Sequence, residues 1–359
     1  MKYKKRLLFI GILLVLAIII RLYAANAARV ENSYSNGIYV GVVRILRQLF
    51  GWIPFSAGDI IYGLFVIWVI WKLVKLISHA YRKKATGSGF IAGCLKTITF
   101  FLLLYIFFNA LWGINYNRKG IAYQLNLKMD KYSLDDLKNI NGLLISKVNA
   151  AKQSLINSKA TYPSYKQMFV KVEENYALID SAYPFLQYRH QSIKPSLWGW
   201  LGNYVGFLGY YNPFTGEAQV NTSVPKFSQP FTACHEVAHQ LGYAKEMEAN
   251  FVGFLAASAS PDTLFQYSVY LDLFLYSSRN LFNSDSAAAS AYVKQLLPQI
   301  KDDLKEWRAF NLRHKNPVEP IIRWMYGKYL ESNQQPQGIL SYDEVTSFLI
   351  AYYKKYGKI

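Results

Sequence analysis

The chain has 359 residues, 52% of them hydrophobic, and a formal net charge of +18. The excess is unevenly placed: residues 1–114 hold 14 Lys and Arg against 2 acidic residues, while residues 115–359 hold 26 against 20. Basic residues that flank apolar runs mark membrane topology, so the charge is not read as a nucleic-acid surface and no nucleic-acid partner is expected.

Three apolar segments follow in order, about 7–25, 57–77 and 90–114, each near the ~20 residues that cross a bilayer. The first begins after Lys2, Lys4, Lys5 and Arg6 and ends at Ala25-Asn26-Ala27, which also resembles a signal-peptide cleavage site. Arg21 and the later apolar segments favour an uncleaved anchor in the lipid bilayer. In the second, the uninterrupted apolar core runs only from Ile60 to Trp71, with Lys72 and Lys75 able to snorkel toward headgroups. By the positive-inside rule Lys2–Arg6 and Arg82-Lys83-Lys84 are cytoplasmic. Three crossings then place residues 115–359 outside the cytoplasm, as one domain behind a 1–114 anchor.

That domain is predicted to be mostly helical. Ser133-Leu134-Asp135-Asp136 resembles a capping box opening a helix to about Ser158, and Ser341 to Glu344 resembles another. Further helices are expected over 165–182, 262–280, 287–297, 302–312, 318–331 and 342–356. Residues 194–225 change character, and Asn203–Phe207 and Glu217–Asn221 read as short strands. They precede the most informative segment and would form a substrate-binding wall or an aromatic loop packed on the membrane.

That segment is His235-Glu236-x-x-His239, followed by Gly242, Glu246 and Glu248. Positions i and i+4 share a helix face, so His235 and His239 can grip one ion, with Glu236 in reach of a water beside it. Pro230 suits the first turn and Gly242 a left-handed end. Two neutral imidazoles, an open position and a carboxylate base form the minimal apparatus of a zinc hydrolase. A third ligand is needed. Glu248 is preferred, because Glu246 has a simpler role at a helix N-terminus, and Asn250 is placed to orient a ligand. Lys245 stands where a metzincin has its third histidine, so that subclass is disfavoured. Tyr210, Tyr211, Tyr243, His190 and Arg279 are possible oxyanion donors. Cys234 is expected as a small core residue, unpaired with Cys94.

Several blocks carry a family resemblance: Ile53-Pro54-Phe55-Ser56-Ala57-Gly58-Asp59, Leu111-Trp112-Gly113-Ile114-Asn115-Tyr116, Pro213-Phe214-Thr215-Gly216-Glu217-Ala218, and the H-E-x-x-H to E-A-N-F stretch. Over nearly its whole length the chain resembles an uncharacterised bacterial membrane family, domain of unknown function 3810. The resemblance implies several spans and a zincin-like domain. E-A-N-F is also similar to the third-ligand motif of other Glu-ligand zinc peptidases, which supports Glu248.

The expectation is therefore a mostly α protein: three transmembrane helices and a zincin-like, predominantly helical α+β extracytoplasmic domain. It would be a membrane-anchored Zn2+ metallopeptidase acting on a peptide or protein substrate. The alternatives are a non-catalytic receptor or scaffold with structural zinc, and a zinc amidase acting on cell-wall peptides.

Overall fold

A computed structural model describes residues 3–81 and 87–359. Lys2 and the basic run Arg82-Lys83-Lys84 lie outside the described residues. Helix α1 (Lys4–Ala24) leads through a short α2 (Ala27–Arg29) and a π-helical stretch, Val30–Ile38, into α3 (Tyr39–Phe50). Helices α4 (Ala57–Tyr81) and α5 (Gly87–Leu111) follow, then a 3₁₀ turn, Gly113–Asn117, and α6 (Gly120–Gln124). Among the described residues α1, α4 and α5 are the three helices long and apolar enough to cross a membrane. Their apolar side chains are largely exposed, as lipid-facing residues would be.

The two ends of this helical set differ. At one end Arg6 Nη1 donates to the Ala92 carbonyl (3.3 Å), so the start of α1 sits beside the start of α5. At the other, Tyr34 Oη donates to the carbonyls of Asn109 and Ala110 (3.1 and 3.0 Å). The C-terminal end of α1, the N-terminal end of α4 and the C-terminal end of α5 therefore all meet the rest of the chain.

Helices α7 (Leu134–Asn157) and α8 (Tyr165–Asp180) both open with formed capping boxes, at Ser133 with Asp136 and at Ser164 with Gln167. Strand β1 (Ile193–Pro195), helix α9 (Gly199–Val205) and strands β2 (Gly209–Asn212) and β3 (Glu217–Val220) come next. The sheet order is β1-β3-β2, parallel then antiparallel, so β2 is an edge. Then come α10 (Gln229–Gln240), α11 (Glu246–Ser258), α12 (Thr263–Ser284), α13 (Ser286–Lys294), α14 (Pro298–His314), α15 (Glu319–Ser332) and α16 (Val345–Tyr356). A single large core joins α7, α8, α10, α11, α12 and α16.

Two expectations need correction, and one segment adds structure on which no expectation was stated. Asn203–Val205 is helical, not extended. The Asn221 amide donates to the Gly199 carbonyl and to Asn203 Oδ1 (2.9 and 2.8 Å), and Gly206 at φ 82° ends the helix. The capping box at Ser341 does not form, since residues 338–342 are a 3₁₀ turn and α16 starts only at Val345. Residues 27–50, for which no element was expected, are helical throughout and pack on the domain.

That packing fixes the three span-length helices to the domain. Buried Glu31 accepts from Arg118 Nη2 (2.7 Å) and Gln124 Nε2 (2.9 Å). Arg47 Nη2 and Tyr39 Oη donate to the Gln240 carbonyl at the end of α10 (2.7 and 2.9 Å). Buried Glu217 on β3 caps α4, accepting from the backbone N–H groups of Ala57 (3.1 Å) and Gly58 (2.7 Å). A Cβ on Gly58 would lie 2.3 Å from Asn212 Nδ2, so only glycine lets α4 approach the sheet this closely.

Candidate metal centre

Every residue of α10 is buried, so its polar side chains must find partners inside the protein. Pro230 occupies the first turn, where its missing N–H costs nothing. His235 and His239, one turn apart, face the same way, with ring centres 4.7 Å apart and planes at 89°. Gly242, at φ 87°, turns the chain back, with its N–H bonded to the His239 carbonyl (2.9 Å) and that of Tyr243 to the Ala238 carbonyl (3.2 Å). Helix α11 then returns against α10. A Cβ on Gly253 would sit 3.1 Å from the His235 nitrogen, which shows how close the two helices run.

This return brings Glu246, the first residue of α11, onto the histidines. Its Oε2 lies 3.3 Å from His235 Nε2 and 3.4 Å from His239 Nε2. The three potential ligand atoms all fall within 4.8 Å of one another. Glu248, the preferred third ligand, is not among them. It points about 200° away around α11, toward Gly120 and Lys245, whose Nζ is 3.9 Å from its Oε1. The structure therefore assigns to Glu246 the position expected of Glu248.

Neighbours orient the triad. His239 Nδ1 meets the Tyr243 carbonyl at 2.8 Å, which requires the proton on Nδ1 and turns Nε2 toward Glu246. Tyr326 Oη donates to Glu246 Oε1 (2.7 Å), leaving Oε2 for the cluster. Asn250 lies against His235, and His235 Nδ1 completes no hydrogen bond. Glu236 Oε2 likewise has no hydrogen-bond partner. Glu246 Oε2, itself without a hydrogen-bond partner, and the two imidazole Nε2 atoms converge on one point, and this donor set fits a divalent cation held by two imidazoles and one carboxylate.

The charges agree with that fit. Burial alone would raise the Glu246 carboxyl, but the two imidazoles, His239 foremost, outweigh it and hold the group far below the ordinary carboxylate range. Burial opposes protonation of His239, yet Glu246 raises that imidazole to about 9. Burial lowers His235. Burial also pushes Glu236 up to about 8, the range of a group that can both take and give a proton near neutrality.

The cluster floors a cavity of about 480 Å³. One wall is the edge strand β2, where a Cβ on Gly209 would sit 2.6 Å from Glu236 Oε1. Another comes from the span-length helices, through Tyr62 of α4 and Phe108 of α5. Trp112, the first residue after α5, donates its Nε1–H to the His239 carbonyl (3.2 Å). The cluster thus lies at the level where the apolar helices end.

Of the possible oxyanion donors, Tyr210 and Tyr211 line this cavity. The Tyr210 hydroxyl is bonded to Asp59, and that of Tyr211 lies 3.2 Å from Tyr39 Oη. The other three are elsewhere. Tyr243 donates to Gln124 (2.5 Å), Arg279 pairs with Asp343 (3.2 Å), and His190 is exposed at φ 53°. Tyr326, Tyr329 and Tyr342, 80 and more residues beyond the motif, were not anticipated, yet they complete the cavity. Cys234 is buried and free, and Cys94 is exposed on α5.

Three helices long and apolar enough to cross a membrane and a buried His-His-Glu cluster at the level of their domain-side ends define the class of molecule. The chain belongs to the family described as "Protein of unknown function (DUF3810)", whose profile matches residues 34–350. No curated protein and no solved structure matches it.

Proposed function

We propose that this chain is a membrane-anchored, zinc-dependent metallopeptidase of zincin-like architecture, hydrolysing peptide bonds of an extracytoplasmic protein or peptide. The observation that carries the reading is the convergence of His235 Nε2, His239 Nε2 and Glu246 Oε2 beside an unpartnered Glu236 carboxylate, at the floor of an open cavity. A closed four-ligand site would favour structural zinc; three protein donors facing a cavity favour catalysis. Zn2+ at this point would supply Lewis-acid polarisation and an activated water.

The chain's own residues do the rest. Glu236 Oε2 takes the proton of the attacking water and returns it to the leaving amine. The edge of β2 can pair with an extended substrate backbone, and Gly209 leaves room for Glu236 behind it. Tyr211, Tyr329 and Tyr342 offer phenols toward the same space, while Tyr326 holds Glu246 in place. The test is incubation of the purified full chain in nanodiscs with a degenerate peptide library. Cleavage that is abolished by chelation and restored by zinc is expected; a library left intact with zinc bound would contradict peptidase activity.

Binding should depend on pH. With His239 raised to about 9, the metal-free cluster holds a proton that a cation must displace. Apparent zinc affinity is expected to rise about tenfold per pH unit up to about pH 9 and then to level off. Competitive titration at three pH values checks this, and an affinity flat across that range would contradict proton displacement.

The extracytoplasmic placement rests on Lys4, Lys5 and Arg6 at the end of the helical set away from the domain. In a Cys94→Ala background, Ser332→Cys should react in intact cells with a membrane-impermeant thiol reagent. Labelling only after lysis would reverse the topology.

A further inference from the structure

Two helices at the cavity's rim carry largely exposed apolar faces. On α15, Ile321, Trp324 and Met325 are 58%, 64% and 59% exposed. They share one side of the helix, opposite Leu330, which packs into the protein. On α9, Trp200 is 57% exposed, next to Leu201, which lines the cavity, and one turn before Tyr204, which packs edge-on against His314 at 5.0 Å. A soluble protein would not leave two aromatic helix faces side by side in water.

Their position says what covers them. Trp198, at the start of α9, donates its Nε1–H to the Asp59 carbonyl in the first turn of α4 (2.9 Å). Its ring fills the space where a Cβ on Gly63 would sit, 2.8 Å from Cζ2, so α9 is seated on the second turn of a span-length helix. From α15, Tyr329 bonds to Tyr116 (3.1 Å) and lines the same cavity as Tyr62 of α4. The apolar faces are thus continuous with the surface of α4. Around them stand cations. Arg308, Lys315 and Arg323 line one groove beside α9 together with Glu319, which is 3.9 Å from Arg323, and Lys328 lies on the exposed side of α15, paired with Glu331 at 2.7 Å. Apolar side chains bordered by Lys and Arg are the signature of a helix lying in the membrane interface, with the cations at the phosphates.

We propose that α9 and α15 are seated in the headgroup layer of the leaflet that α4 and α5 enter. The cavity over His235, His239 and Glu246 then opens sideways at the bilayer surface, and its occupant is a polypeptide already anchored in that leaflet. The nature of the occupant rests on the hydrolytic reading of the cluster; the seating of the helices does not.

The test is site-directed spin labelling of the full chain in vesicles of phosphatidylethanolamine and phosphatidylglycerol, in a Cys94→Ala background. Nitroxides are placed separately at Trp324→Cys on α15 and Trp200→Cys on α9. Ile67→Cys on α4 is the lipid reference and Asp302→Cys on α14 the aqueous one. Collision rates with oxygen and with a water-soluble nickel chelate give the depth. Labels at 324 and 200 are expected to favour oxygen over nickel several-fold more than the label at 302, approaching the label at 67. Nickel accessibility equal to that at 302 would overturn the proposal by placing both faces in water. Protection from both reagents would also overturn it, by showing that protein covers them. Neither readout depends on metal bound at the His-His-Glu cluster or on hydrolysis, so failure here is separable from failure of the peptidase reading. The two helices report independently should one variant not fold.

Discussion

Glu246→Gln is expected to lose zinc and Glu248→Gln to keep it. Each substitution keeps the shape of the side chain and removes its charge. Only Glu246 has an oxygen between the two imidazoles, 3.3 and 3.4 Å from their Nε2 atoms. Zinc sites of several ligands bind with about 10–16 kcal/mol, so one ligand's share is about 3–4 kcal/mol, or on the order of 10²–10³-fold in affinity. Competitive titration against a chelator of known affinity reads this directly. Glu248→Gln alters a buried carboxylate beside Lys245, so its expected effect is on stability, with zinc affinity near that of the unaltered chain. The reverse pattern, with affinity lost at Glu248 and kept at Glu246, would return the third ligand to Glu248.

Glu236→Gln is expected to bind zinc normally and to fail in hydrolysis. The amide fits the space beside Gly209 that the carboxylate now fills, and the carboxylate touches neither imidazole closely enough to be a ligand. What is lost is the proton acceptor, worth about 10²–10⁴-fold in rate. The readout is the turnover of any peptide found in the library assay, measured with zinc content on the same sample. Normal turnover in the variant would remove Glu236 from the reaction; lost zinc would make it a ligand.

How far these assignments could be read from the sequence differs from residue to residue. The i,i+4 spacing of His235 and His239 and the left-handed Gly242 are local geometry, and both are legible in the sequence. Glu246, which the geometry brings to the histidines, was passed over in favour of Glu248 because an acid in the first turn of a helix has a plain electrostatic role. A better signal was present. Ala249 and Gly253 are the small residues that let α11 approach α10, and they share a helix face with Glu246 and Asn250, not with Glu248. The three apolar helices were legible because their exposed surfaces carry an unbroken hydrophobic run. The helical segment 27–50 was not, because its partners are long-range: Glu31 with Arg118, and Arg47 with the end of α10. The strand expected at 203–207 failed for a similar reason, since the Asn221 amide stabilises the helical form from 18 residues away. The tyrosines of α15 and Tyr342 reach the cavity only through tertiary packing, and no local pattern marks them.

The most direct measurement is zinc-edge X-ray absorption on the purified full chain loaded with one equivalent of zinc. The account predicts a first shell of nitrogen and oxygen at about 2.0–2.2 Å, with the outer-shell scattering of two imidazole rings. That outer-shell pattern should persist in Glu248→Gln and be lost with the zinc in Glu246→Gln. A spectrum without imidazole scattering, or with a sulfur shell at about 2.3 Å, would contradict it.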